Sequence, residues 1–149
     1  MRIFCAVITL LLTPALAGVT EQTEFKFENG FLDYRFSRSV EGSDKAVYEA
    51  ITDYEHLDRL NNHICESRIL TRYGPYSLKR LIAMKYCVLR FCFNLTFVET
   101  VEETASTVTA TIVPEESTFK KGFVEWRIVP VSKSHTRLEV RATQGRGGG

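Results

Sequence analysis

Apolar residues recur with a period of two along most of the chain, an alternation that marks strands. Glu24-Phe25-Lys26-Phe27-Glu28 alternates, and Asn29-Gly30 is the dipeptide preferred at a two-residue hairpin turn. Phe31 to Val40 alternates again, with Leu32, Tyr34 and Phe36 on one face and Asp33, Arg35 and Ser37 on the other. The rhythm then changes. Ser43 stands where a helix cap is needed, and Val47, Ala50, Ile51 and Tyr54 follow at i, i+3, i+4 and i+7. Tyr54, Leu57 and Leu60 continue at a spacing of three, which predicts a second, short or tightened helix ended by Asn61 and Asn62.

Strand rhythm resumes from Ile64 to Tyr73 and breaks at Tyr73-Gly74-Pro75. It continues through Leu78 to Tyr86, Phe91 to Val101, Ala105 to Val113, Gly122 to Val129 and His135 to Thr143. Phe91, Phe93, Leu95 and Phe97 share one face, as do Val108, Ala110 and Ile112, then Val124, Trp126 and Ile128, then Leu138, Val140 and Ala142. Short strands at this spacing predict an antiparallel meander, on which two short helices bury their common stripe. The expected class is α+β.

Met1 to Ala17 changes the picture of where this domain works. A basic start at Arg2, an apolar run from Ile3 to Leu12 and the A-x-A site Ala15-Leu16-Ala17 read as a secretory signal peptide. The run is too short for a membrane-spanning helix, which takes about 20 apolar residues. A periplasmic or secreted protein is therefore expected, with one domain over residues 18–144 and a glycine-rich tail over 145–149. A domain of roughly 130 residues buries about two-thirds of its unfolded surface, enough for a true core. Net charge is +1 and falls to zero when Arg2 leaves with the leader, which argues against a nucleic-acid partner. Arg68, Arg72, Lys79, Arg80, Lys85 and Arg90 form the one local excess of positive charge. Their strand spacing is that of a solvated sheet face, in preference to a patch for an anionic ligand or a lipid surface.

Candidate chemistry is sparse. Cys65, Cys87 and Cys92 lie beyond the leader, and Cys87 and Cys92 flank Val88-Leu89-Arg90-Phe91 at opposing ends of a hairpin loop. In an oxidising compartment those two are expected to form a structural disulfide, with Cys65 buried and free. No C-x-x-C motif points to redox activity, and His56, His63 and His135 lack the spacing of a metal site. No metal and no cofactor are expected. There is no G-x-S-x-G, and Asp53, Asp58, Glu99, Glu102, Glu103 and Glu125 all read as exposed, so no catalytic residue is assigned. Asn94-Leu95-Thr96 is a glycosylation sequon.

The run V-Y-E-A-I-T-D-Y-E-H-L-D-R-L-N from Val47 to Asn61, set between the first strands, resembles the START-like superfamily. Polyketide cyclases, coenzyme Q-binding START-domain proteins and the birch-pollen allergen group are among its members. Gly122, Trp126, Arg127, Pro130 and Thr136-Arg137-Leu138 extend the likeness, which spans Thr23 to Thr143. The resemblance implies a helix-grip fold: a curved antiparallel sheet of about six to seven strands, with two short helices after the opening strands. It also implies a long C-terminal helix across the concave face. The sequence ends instead in Gln144-Gly145-Arg146-Gly147-Gly148-Gly149, which resists helix. Either it is a fragment, the favoured expectation, or its groove is closed in another way.

A deeply curved sheet closed by two short helices leaves part of its interior unfilled, and that volume is the expected ligand site. Its lining is assigned to Tyr34, Phe36, Tyr54, Leu57, Leu60, Phe93, Phe97, Val124, Trp126 and Ile128. The expected function is an exported carrier of a hydrophobic or amphipathic small molecule, with a quinone, isoprenoid or fatty acyl chain implied by the resemblance. Two other classes stay open. One is a cyclase-like enzyme using Tyr34, Tyr86 and Glu125 inside the cavity; the other is an interaction module whose groove takes a partner's helix. Peripheral membrane contact and self-association through the open groove are further partner expectations.

Overall fold

Strands β1 (Glu21–Glu28) and β2 (Phe31–Glu41) form the hairpin that the opening alternation predicts. In the computed structural model, which describes residues 21–145, the turn has Asn29 at φ 54° and Gly30 at φ 80°. Asn and Gly reach that left-handed region cheaply, so the dipeptide sets the register. The expected signal peptide, Met1 to Ala17, lies outside the described residues, as does the tail beyond Gly145.

The remaining strands are β3 (Ile64–Gly74), β4 (Ser77–Val88), β5 (Phe91–Glu103), β6 (Thr107–Ile112), β7 (Lys121–Pro130) and β8 (His135–Gly145). They run as an antiparallel meander, after which β2 pairs with β8, so the sheet order is β1-β2-β8-β7-β6-β5-β4-β3. The chain leaving β2 must therefore cross the whole sheet to begin β3 at the far edge. Helix α1 (Asp44–Ile51) and a 3-10 turn, Leu57–Arg59, make that crossing. Ser43 caps α1, its hydroxyl accepting the Ala46 N–H at 3.1 Å, and Val47 and Ile51 carry the buried stripe while Ala50 is exposed.

Two expectations need correction. The sheet has eight strands, one for each alternating run of the sequence, and not the six to seven that the resemblance implies. The second helix is a single 3-10 turn. The three-residue spacing of Tyr54, Leu57 and Leu60 matches three residues per turn, and such turns do not propagate. Asn61 ends it, its side-chain oxygen accepting the His63 N–H at 2.9 Å. At the other terminus β8 takes in Gly145, which pairs with Phe31 and Lys121. A Cβ there would come within 2.6 Å of the Phe31 ring, so glycine permits the close approach.

One face of the sheet carries nearly all the core. Phe36, Val140, Trp126 and Val108 lie side by side on β2, β8, β7 and β6; Tyr34, Ala142, Val124 and Ala110 form the next row. Helix α1 packs over β7 and β8, and the 3-10 turn packs on β3. Each large side chain fully buried there contributes about 1.5–3 kcal/mol of gross stabilisation.

Cys87 and Cys92 face each other in the β4–β5 register and are disulfide-bonded. The loop they close is short, which puts the stabilisation at the low end of about 2–4 kcal/mol. Cys65 is free as expected but exposed, not buried: a register shift between Ile64 and Glu66 leaves it unpaired on an edge strand. Alkylation of the oxidatively folded protein without reductant should therefore label Cys65 and spare Cys87 and Cys92. Labelling of all three would rule the pairing out.

Candidate functional site

The concave face divides into a covered half and an open half. Beneath α1 and the 3-10 turn, Tyr54, Leu57, Trp126 and Ile128 are buried, and Leu60 packs against them half-buried. Among the described residues a cavity of about 40 Å³ lies there, lined by Leu57, Leu60, Ile82, Val108 and Trp126 among others, with Arg80 as its one charged wall. That volume suits a water molecule.

The same half holds a polar cluster. Arg80 of β4 and Glu99 of β5 are direct cross-strand neighbours, joined at 3.1 Å and buried to 6% and 7% exposure. The Arg80 guanidinium also lies 5.4 Å from the centre of the Tyr54 ring, whose hydroxyl donates to Glu103 at 2.5 Å. Burial raises the Tyr54 phenol pKa, and the bond to Glu103 adds to the rise against the opposing pull of Arg80. Tyr34 approaches from β2. Its hydroxyl is buried and has no hydrogen-bond partner among the described residues. Burial raises its pKa first, then the Glu99 carboxylate, then Tyr86.

The open half lies toward the β1–β2 and β4–β5 turns, which fall at the same end of the sheet because β2 and β5 run in the same direction. Phe97 is buried and stacks on Phe119 at 5.7 Å; Val124 is half-buried. Phe93 faces the same way but is 46% exposed, and Phe25, 6.1 Å from the Tyr34 ring, is also uncovered. Of the ten residues assigned to the lining, the fold brings Tyr34, Phe36, Tyr54, Leu57, Phe97, Trp126 and Ile128 together as buried side chains on one face. Phe93 stands apart toward the open end.

Glu125 does not join Tyr34 and Tyr86. It alternates with Trp126 onto the outer face, where it accepts from Arg127 at 3.3 Å. A wider trough of about 840 Å³ also lies on that face, bordered by Lys26, Asp33, Arg35, Phe123 and Arg141. Its walls mix both charges and it is open to solvent, so it lacks the enclosed apolar character of a small-molecule site.

Arg80 and Glu99 were missed when charged side chains were read as solvated. The signal was present in the alternation. Arg80 sits between Leu78 and Ile82, and Glu99 between Phe97 and Val101, so both occupy apolar-face positions with opposite charge. Buried charges are paired, so a charge on an apolar face calls for a search for its partner.

No family model and no curated protein matches the chain. Among solved structures it is similar to a START superfamily protein from Mycobacterium smegmatis, 18% identical with a TM-score of 0.61, over 85% of this chain and 75% of that one. It is similar also to the Zhui aromatase/cyclase from Streptomyces sp. R1128, at 12% identity and a TM-score of 0.64, over 87% and 72% of the two chains. A STAR-related lipid transfer protein from Xanthomonas axonopodis matches at 12% identity and a TM-score of 0.62, over 88% and 84%. At such identities the likeness reaches the fold and not the chemistry. A curled antiparallel sheet with its crossing helix laid on the concave face is the START-like fold, and this chain has it.

Proposed function

We propose that the protein binds a hydrophobic or amphipathic small molecule, lying along the open half of the concave face with its polar end directed at Tyr34, Arg80 and Glu99. The observation that carries this reading is the buried Tyr34 hydroxyl, which has no hydrogen-bond partner among the described residues and faces the same concave side as the buried Arg80–Glu99 ion pair. An unsatisfied buried hydroxyl costs about 1–3 kcal/mol, and a ligand hydroxyl or carbonyl would recover it. The 40 Å³ cavity is too small for such a ligand, since ligand pockets run to about 300–1,000 Å³. The body of the ligand therefore rests on Phe97, Val124 and Phe93. A lipid, quinone or isoprenoid is the proposed class. The lipid transfer and aromatase/cyclase proteins that share the fold support an apolar ligand.

Burial and Glu99 both favour the protonated Tyr34 phenol, which suits a hydrogen-bond donor to the polar end of a ligand. Export belongs to the same reading, supported by the signal-peptide pattern read in the sequence from Met1 to Ala17 and by the Cys87–Cys92 disulfide. Mass spectrometry of an organic extract of the purified protein is the test. A single apolar species bound in stoichiometric amount, and depleted in an Arg80→Met/Glu99→Leu variant, is the expected result. An extract holding only bulk lipid in the proportions of the host membrane would refute the proposal.

A further inference from the structure

We infer that the β4–β5 hairpin tip is a rigid membrane-contact finger that inserts into the surface of an anionic lipid bilayer. Along the concave face of this hairpin the cross-strand pairs are Met84 with Leu95, Tyr86 with Phe93 and Val88 with Phe91. Exposure climbs along that ladder from 8% at Leu95 to 46% at Phe93, 70% at Phe91 and 94% at Leu89. An apolar run thus leaves the core and ends in water.

The backbone at the tip makes the arrangement costly. Leu89 has φ 56°, in the left-handed region where a bulky side chain is an outlier and Gly or Asn is the usual occupant. At the other hairpin turn, between β1 and β2, the chain uses Asn29 and Gly30 for the same purpose. A leucine held in strain and almost fully exposed has no role in an aqueous fold. Inserted among acyl chains it has one.

Charge identifies the bilayer. From Leu81 to Val98 the chain carries Lys85 and Arg90 and no acid, and both basic residues are exposed at the hairpin. Basic residues flanking an apolar tip match a surface rich in anionic headgroups. A second copy of the chain fits less well, because a few tip side chains fall far short of the roughly 800 Å² per partner of a stable interface. The Cys87–Cys92 bond sits one residue pair below the tip and holds the finger in shape. The inference does not depend on the groove ligand, since vesicle contact can be read whether or not a lipid is extracted.

The test uses the full chain and vesicles of phosphatidylcholine with or without phosphatidylglycerol. The parent should sediment with the anionic vesicles, and Leu89→Asn/Phe91→Ser should weaken binding by at least tenfold without lowering the melting temperature, because Asn tolerates the left-handed turn. Lys85→Glu/Arg90→Glu should weaken binding to anionic vesicles alone. Leu89→Trp adds a depth probe. Its tip emission should shift to the blue and be quenched by brominated acyl chains, against the parent background from buried Trp126. A tip tryptophan that keeps a solvent-exposed emission while the protein sediments would place the contact elsewhere, the apolar N-terminal residues included, and would overturn the inference. So would unchanged sedimentation of Leu89→Asn/Phe91→Ser, no sedimentation of the parent, or a tip variant that alters only the oligomeric state.

Discussion

Replacing Glu99 with alanine should destabilise the protein by about 3–5 kcal/mol, because it leaves the Arg80 guanidinium buried without its counter-charge. Arg80→Ala should cost a similar amount by stranding the carboxylate. Domains of this size have net stabilities of about 5–15 kcal/mol, so either single variant should lie near the edge of folding. The double variant Arg80→Met/Glu99→Leu behaves differently. It removes both charges and fills their volume, and should recover most of the loss. Urea unfolding of the parent, Arg80→Met, Glu99→Leu and the double variant gives the coupling energy directly. Single losses that simply add in the double variant would mean that the two side chains act independently, and that the covered half of the groove is wet enough to solvate each. The cycle reaches function too, since a double variant that folds well yet loses its ligand separates the role of the pair in recognition from its role in the fold.

Why this pair escaped a reading of the sequence, while the sheet did not, is a matter of period. Alternation over ten or so residues reports a strand however its partner is found, so β2, β4, β5, β7 and β8 were all legible. Asn29-Gly30 and Ser43 marked local events and were legible for the same reason. Position in the sheet is non-local. Nothing between Val40 and Ile64 states that β2 will pair with β8 and that β3 will begin at the opposite edge. The exposure of Cys65 follows from that edge position and from a register shift, neither of which its neighbours encode. Burial of Arg80 and Glu99 depends on what comes to cover the concave face, Tyr54 among it, which the two strands' own residues do not encode. The lining was legible as a face and illegible as a volume. Periodicity showed that Trp126 and Leu57 point inward, but only packing decides that they meet and leave about 40 Å³ between them.

Tyr34→Phe should move stability and binding in opposite directions. The Tyr34 hydroxyl is buried with no hydrogen-bond partner among the described residues, so its removal should stabilise the fold by about 1–2 kcal/mol and raise the melting temperature by several degrees. The ring and its contact with Phe25 are kept, so no cavity opens. Ligand affinity should fall several-fold, since the polar end of the ligand loses its donor. An alkaline titration adds an independent sign. Folding raises the phenol pKa of Tyr34 and of Tyr54 above the ordinary value of 10.0. Above that pH the unfolded chain releases protons that the folded chain retains. Stability from these two groups is therefore whole below about pH 10 and declines as pH rises beyond it. Tyr34→Phe removes one of the two contributions and should make the alkaline decline shallower, whereas Tyr54→Phe should also lose the bond to Glu103. Denaturant melts at pH 8 and above pH 10, with ligand retention measured beside them, decide the matter. If Tyr34→Phe is less stable than the parent, the hydroxyl is already satisfied in the folded protein. If ligand retention is unchanged, the polar end of the ligand lies elsewhere in the groove.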